Sequence, residues 1–152
     1  MKKQQLSNRD VKNIIKVLKE DFNIEGLISK KDKSELIDDK TIMINDKPYF
    51  FYYNKRLIPT LRLLLTNNFL PKVVIDMPAI KFITGGADVM RPGIKEVDEF
   101  QKEKIVSIVD ENHKKPLAIG IASFSSEEIK FMKSGNVIQN IHQVGDEIWN
   151  SI

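Results

Sequence analysis

The sequence predicts an α+β protein: a small N-terminal α/β module followed by a mixed-β unit with two short helices. Two observations carry that prediction. Apolar residues recur at helical spacing near the start, at Val11, Ile14, Ile15, Leu18 and Phe22, whereas beyond Val73 they come in short runs punctuated by Gly and Pro. The texture changes just after Pro71, which places the units at residues 1–72 and 73–152. The chain has 152 residues, 41% of them apolar, enough for one ordinary domain or two very small ones.

Ser7 is the expected N-cap of the first helix. After Gly26 and a polar stretch through Lys40, two β-rich runs follow, Thr41–Ile44 and Tyr49–Tyr53, and Asn45-Asp46-Lys47-Pro48 between them reads as a hairpin turn. Aromatics alternate along the second run, so about half of Tyr49 to Tyr53 is expected in the core and the outward set facing solvent or a protein partner. Pro59 fits the first turn of a helix whose stripe, Leu61, Leu64, Leu65 and Phe69, stops before Pro71. In the second unit the expected order begins with strand Val73–Ile75, a helical turn Pro78–Thr84 ended by Gly85-Gly86, and strand Asp88–Met90. Strands Lys104–Val109 and Leu117–Phe124 come next, the latter central because it is almost continuously apolar. Ser125 and Glu128 form a capping box for a helix ended by Gly135, and strands Val137–Ile141 and Glu147–Trp149 close the chain.

Net charge is +3, but residues 1–72 carry +6 and residues 73–152 carry −3. An anionic partner would feel the first half at long range and would need local donors on the second. Twenty of the 24 basic residues are lysine, which is also how an ordinary solvated surface is filled. There is no cysteine, so disulfides, thiolate metal sites and cysteine nucleophiles drop out together. The polar N-terminus and the lack of any long apolar run point to a cytoplasmic protein that does not cross a membrane. With two histidines far apart and no GxGxxG or phosphate-loop lysine motif, no catalysis, cofactor or metal is expected.

The segment Asp76 to Ile94, DMPAIKFITGGADVMRPGI, joins a short helix to a Gly-Gly exit and a Pro-Gly turn. Adjacent glycines permit positive φ and let another backbone approach closely, and Lys81 and Arg91 flank the opening. The same glycines also read simply as a helix terminator. This segment, followed by an apolar strand, a capped helix and the ending NIHQVGDEIW, resembles the PUA domain across residues 73–150. With PTLRLL at 59–64 and FLP at 69–71, the whole chain resembles the malignant-T-cell-amplified-sequence (MCT) family and its archaeal relatives, in which a pre-PUA domain precedes a PUA pseudo-barrel.

The resemblance implies an RNA-binding protein of the translation machinery acting in initiation, reinitiation or recycling. Its PUA surface would hold structured RNA, a tRNA acceptor end or rRNA, through Lys81, Phe82, Gly85, Gly86, Asp88, Arg91, Pro92 and Gly93, with His142 a further candidate. Backbone amides at the glycines would donate to phosphate, Lys81 and Arg91 would neutralise it, and Phe82 would stack on a base. Each has a plainer reading: Phe82 as core, Arg91 as solvated or paired with Asp88, and His142 as a satisfied structural residue. Lys55, Arg56 and Arg62 form a secondary basic patch, and His113 is expected to be exposed. By the same resemblance the N-terminal half would contact the small ribosomal subunit or a protein with an initiation-factor-like domain. The competing reading is a protein–protein adaptor, or an accessory module for RNA modification, without catalysis of its own.

Overall fold

The computed structural model describes residues 1–151. The first half runs β1 (Lys3–Gln5), α1 (Asn8–Phe22), β2 (Ser34–Ile37), β3 (Thr41–Ile44), β4 (Lys47–Tyr53), β5 (Arg56–Pro59) and α2 (Leu61–Leu64). Its strands form one antiparallel sheet in chain order. The second half runs β6 (Lys72–Ile75), a 3-10 turn Met77–Ala79 leading into α3 (Ile80–Thr84), β7 (Val89–Met90), β8 (Ile94–Val97), β9 (Ile105–Asp110), β10 (Pro116–Ala122), α4 (Ser126–Phe131) and β11 (Asn136–Gln143). Here the order is β7-β11-β10-β9-β6-β8, with one parallel pair, β6 and β9. The mixed α+β architecture is the expected one, and β10 is interior as its apolar run required.

Helix α1 starts where Ser7 Oγ accepts from the Asp10 amide and Asp10 Oδ2 accepts from the Ser7 amide, each at 3.1 Å. It ends at Asn23 in the left-handed region, φ 54°. Val11, Ile14 and Leu18 pack on one face of the first sheet against Ile42, Ile44, Phe50 and Leu57. The opposite face is also covered. Phe51, Ile58, Leu61 and Leu64 meet Ile105, Ile119, Ile121 and Ile148 of the second half. Neighbouring residues Phe50 and Phe51 therefore both lie inside, one in each core. The period of two divides the faces of β4 correctly, but a strand covered on both faces buries both sets. Tyr52 is the outward residue, and the Tyr53 hydroxyl accepts from Gln139 Nε2 at 2.8 Å.

His142 lies at the centre of the seam and has no exposed surface. Its Nε2 accepts from the Leu61 amide at 3.2 Å, its Nδ1 meets Asp146 Oδ2 at 2.8 Å, and its ring stands edge-on to Phe51 at 5.3 Å. Accepting at Nε2 requires a neutral ring with its proton on Nδ1. Asp146 also takes the amides of Gln143 and Trp149 at 2.9 and 2.8 Å. Burial pushes the Asp146 carboxyl up, but those three donors outweigh it and hold the group below the ordinary carboxylate range.

Four sequence expectations change. Pro59 ends β5 instead of opening a helix; Thr60 supplies the cap of α2, accepting from the Leu63 amide at 3.2 Å. The hairpin turn is only Asn45-Asp46, both at positive φ, and Lys47 and Pro48 already belong to β4. Helix α4 stops at Phe131, short of Gly135. Glu147–Trp149 is a turn wound around the Asp146 carboxylate, and β11 is the last strand among the described residues. Strands β1, β2, β5 and β8 were not anticipated, being short and mostly polar or at sheet edges.

Gly120 sits at the irregularity where β10 crosses β11; a Cβ there would lie 2.7 Å from the Gln139 carbonyl and closer still to Ile138. Gly120→Ala is therefore expected to cost about 1–3 kcal/mol, read as a lower urea midpoint. For Asp146 the folded-state value lies below the unfolded one of about 4, so its contribution is whole at neutral pH and is lost as pH falls through that region. Asp146→Asn should lower stability at pH 7 and flatten its decline below about pH 4, as measured by urea titrations at stepped pH.

Candidate functional site

The site is built on the link between β6 and β7. Asp76 caps the 3-10 turn, its Oδ1 accepting from the Ala79 amide at 3.0 Å, and Pro78 sits in the first turn where no amide is needed. In the short helix α3, Ile83 faces the core at 2% exposure while Phe82 points outward at 59%. The sequence favoured a core position for Phe82; the helix is one layer deep, and Ile83 fills the inward slot. Met77 and Met90 are likewise exposed, at 46% and 52%. Phe82 and Met90, together with Pro78, Pro92 and Gly93, line an open groove of about 410 Å³, within the size range of small-ligand clefts, whereas Met77 lies outside it, its sulfur accepting from Asn112 Nδ2 at 3.1 Å. Lys81 stands at the side of the groove, Nζ 5.2 Å from the Phe82 ring centroid.

The glycine loop differs from expectation. Only Gly86 has positive φ, 99°. The amides of Gly85, Gly86 and Ala87 all donate back into the end of α3, to the carbonyls of Lys81, Ile83 and Phe82 at 3.2, 3.0 and 2.9 Å. They have no proton to offer a phosphate while the helix end stays closed, so the glycines act through shape: a Cβ on Gly86 would come within 3.3 Å of Gln143. Asn140, which sequence reasoning missed, holds the loop from behind. Its Nδ2 donates to the carbonyls of Ile83 and Ala87 at 3.0 and 2.9 Å, and its amide donates to Asp88 Oδ1 at 2.8 Å. Asp88 also accepts from Asn136 at 2.8 Å, so this carboxylate is a brace in the groove wall. The strand carries four amide side chains, Asn136, Gln139, Asn140 and Gln143, so nothing in the sequence singles out Asn140.

Arg91 makes no pair with Asp88. Its Nε donates to the Ile129 carbonyl at 2.6 Å and its Nη1 to the Ile94 carbonyl at 3.4 Å, tying the end of α4 to the groove. His142 takes its structural reading: the ring has no exposed surface and is spent between Leu61 and Asp146, apart from the groove. Arg62 leaves the basic patch for the seam: its guanidinium lies 4.0 Å over Trp149 and donates twice to the Trp149 carbonyl. Lys55 and Arg56 remain exposed in and beside the β4–β5 turn, and His113 is exposed in the loop after β9. No cluster of three or more metal-ligating side chains occurs among the described residues. Arg91→Ala is expected to cost about 1.5–3 kcal/mol, the worth of charged-donor hydrogen bonds, whereas exposed Lys81→Ala should leave the urea midpoint unchanged.

The PUA domain profile matches residues 71–144. Over the full chain, an uncharacterized protein of Methanocaldococcus jannaschii is 45% identical, with 95% of this chain and 93% of that one covered. Translation machinery-associated protein 20 of Saccharomyces cerevisiae is 37% identical, covering 84% and 77%, and malignant T-cell-amplified sequence 1 of Rattus norvegicus is 30% identical, covering 96% and 88%. Among solved structures, a hypothetical protein of Pyrococcus horikoshii superposes with TM-score 0.86 at 34% identity and 99% coverage of both chains. A chain of an H/ACA ribonucleoprotein bound to a substrate RNA superposes with TM-score 0.51 at 25% identity, over 62% of this chain and 29% of that one.

Proposed function

This chain belongs to the PUA-domain family of the translation machinery-associated 20 and malignant T-cell-amplified sequence proteins, and from that premise we propose that it is a non-catalytic RNA-binding protein of the translation apparatus. Its working site is the groove between α3 and β7. The observation that carries this reading is the grouping of two outward apolar side chains, Phe82 and Met90, around one cleft with Lys81 beside it. A folded protein exposes such a cluster against the hydrophobic effect, so it serves a ligand with flat apolar faces. Nucleobases splayed from a stem offer such faces, and Lys81 supplies the cation their phosphates need.

Within this reading Phe82 is the stacking ring, Gly86, Pro92 and Gly93 shape the cleft, and Arg91, Asp88 and Asn140 hold its walls. The expected RNA is a stem with a single-stranded 3′ end, such as a tRNA acceptor. Lys55 and Arg56, on the far sheet, are offered to the small ribosomal subunit or to a protein partner with an initiation-factor-like domain. The cytoplasm, where its relatives' named machinery works, is the compartment we assign. The adaptor reading draws on the −3 charge of the second half and on Asp76 and Asp88 beside the groove.

Binding of the purified chain to hairpin RNAs with and without a 3′ single strand, across a salt series, separates the two readings. Loss of the tail and Phe82→Ala should each weaken binding about tenfold, and Lys81→Ala should make the salt slope shallower by about 0.7. Binding indifferent to tail, ring and lysine would contradict the RNA reading and favour a protein ligand.

A further inference from the structure

Beyond the groove the surface carries a second outward aromatic. Phe131, the last residue of α4, is 84% exposed. The inward positions of this segment are taken by Ser126 and Ile129, with Met132 packed against the core, so the ring is displayed by helix geometry. Lys130 and Lys133 flank it, both exposed, and among the described residues neither meets a carboxylate within 4.0 Å. Glu128 is spent on the Ser125 cap, leaving Glu127 one turn back as the acid on that face.

The segment bearing Phe131 is tied to the groove on both sides. Before it, the Ile129 carbonyl accepts from Arg91 Nε at 2.6 Å. After it, the Gly135 carbonyl accepts from the Arg91 amide at 2.8 Å, and Asn136 pairs with Met90, a groove residue. An exposed ring with two exposed lysines close to it in the chain, neither in an ion pair among the described residues, has the makeup of a sequence-neutral stacking platform, in which the base meets the ring and the lysines track phosphate.

We propose that Phe131, with Lys130 and Lys133, forms a second stacking subsite for single-stranded RNA that continues from the Phe82 groove across the Met90–Arg91 rim. The subsite rests on the RNA reading of the groove. It predicts a strand path longer than the cleft itself, with one base at Phe82 and a later one at Phe131. A protein ligand is the alternative occupant, and the unpaired lysines favour the polyanion.

The test uses the full chain and hairpin RNAs whose 3′ single strand is lengthened one nucleotide at a time. Affinity should rise in two steps. Phe131→Ala should remove only the second, weakening long-tailed RNA by roughly 5- to 150-fold, the span that base-on-ring stacking is worth, and leaving the shortest tails untouched. Phe82→Ala should remove the first. Lys130→Ala and Lys133→Ala should each make the salt slope for long tails shallower by about 0.7. If Phe131→Ala binds every RNA like the parent while Phe82→Ala still weakens binding, the platform is overturned and the groove stands. If both are silent, both fall. A silent Phe131→Ala that changes the oligomeric state on sedimentation assigns the ring to a protein contact and also overturns the proposal.

Discussion

The ring of His142, sealed between the two sheets, is the point on which the rest of the molecule turns. It joins the first amide of α2, 81 residues away in the chain, to the Asp146 carboxylate and packs edge-on against Phe51 of β4. The Leu61 amide has its acceptor only while the ring stays in place, and the Asp146 carboxylate, which also takes the amides of Gln143 and Trp149, fixes that ring. Removing the imidazole would leave the buried Leu61 amide without its acceptor and take one of three donors from Asp146, which is costly in an apolar seam. Around it the contacts are largely nonpolar, with Arg62 on Trp149 and Tyr53 to Gln139 closing the margins. The geometry joins two sheets that each also pack a core of their own, Val11, Ile14, Ile42 and Phe50 in the first and Val73, Ile75, Ile108 and Ile138 in the second.

That seam also explains how the groove is held. β11 carries His142 toward the first sheet and, two residues earlier, Asn140 toward the glycine loop. One strand thereby fixes both the joint and the back of the site. Asp88 and Arg91 complete the support from the other side, through Asn136 and the end of α4. The polar residues that resemble ligand contacts in the sequence are thus mostly structural, and the groove is lined by apolar side chains and the two hydrogen-bonded carboxylates of Asp76 and Asp88, with Lys81 beside it.

What the sequence discloses follows from how local each signal is. The first helix, the existence of the β3–β4 hairpin, the Ser125 capping box and the interior strand β10 rest on periodicity, turn chemistry or cap pairs within a few residues, and these were legible. The paired burial of Phe50 and Phe51 was not, because a strand's period says which residues share a face but not how many faces are covered. Short edge strands such as β1 and β8 lack an apolar pattern to betray them. At the site, the segment from Asp76 to Ile94 was found, but the roles inside it were not. Whether Phe82 points out, whether Arg91 is free and whether His142 is buried depend on neighbours 38 to 81 residues away in the chain. Asn140 escaped notice for the same reason.

The account stands on the groove beside Phe82 being where RNA is held. The most direct test is a titration of isotope-labelled protein with a stem bearing a single-stranded 3′ tail, followed by backbone amide chemical shifts. The account predicts that the strongest shifts gather on residues 77–93, around Lys81, Phe82 and Met90, while the seam at His142 and Asp146 stays still. Shifts gathered instead on the β4–β5 turn at Lys55 and Arg56, with the groove unmoved, would contradict it.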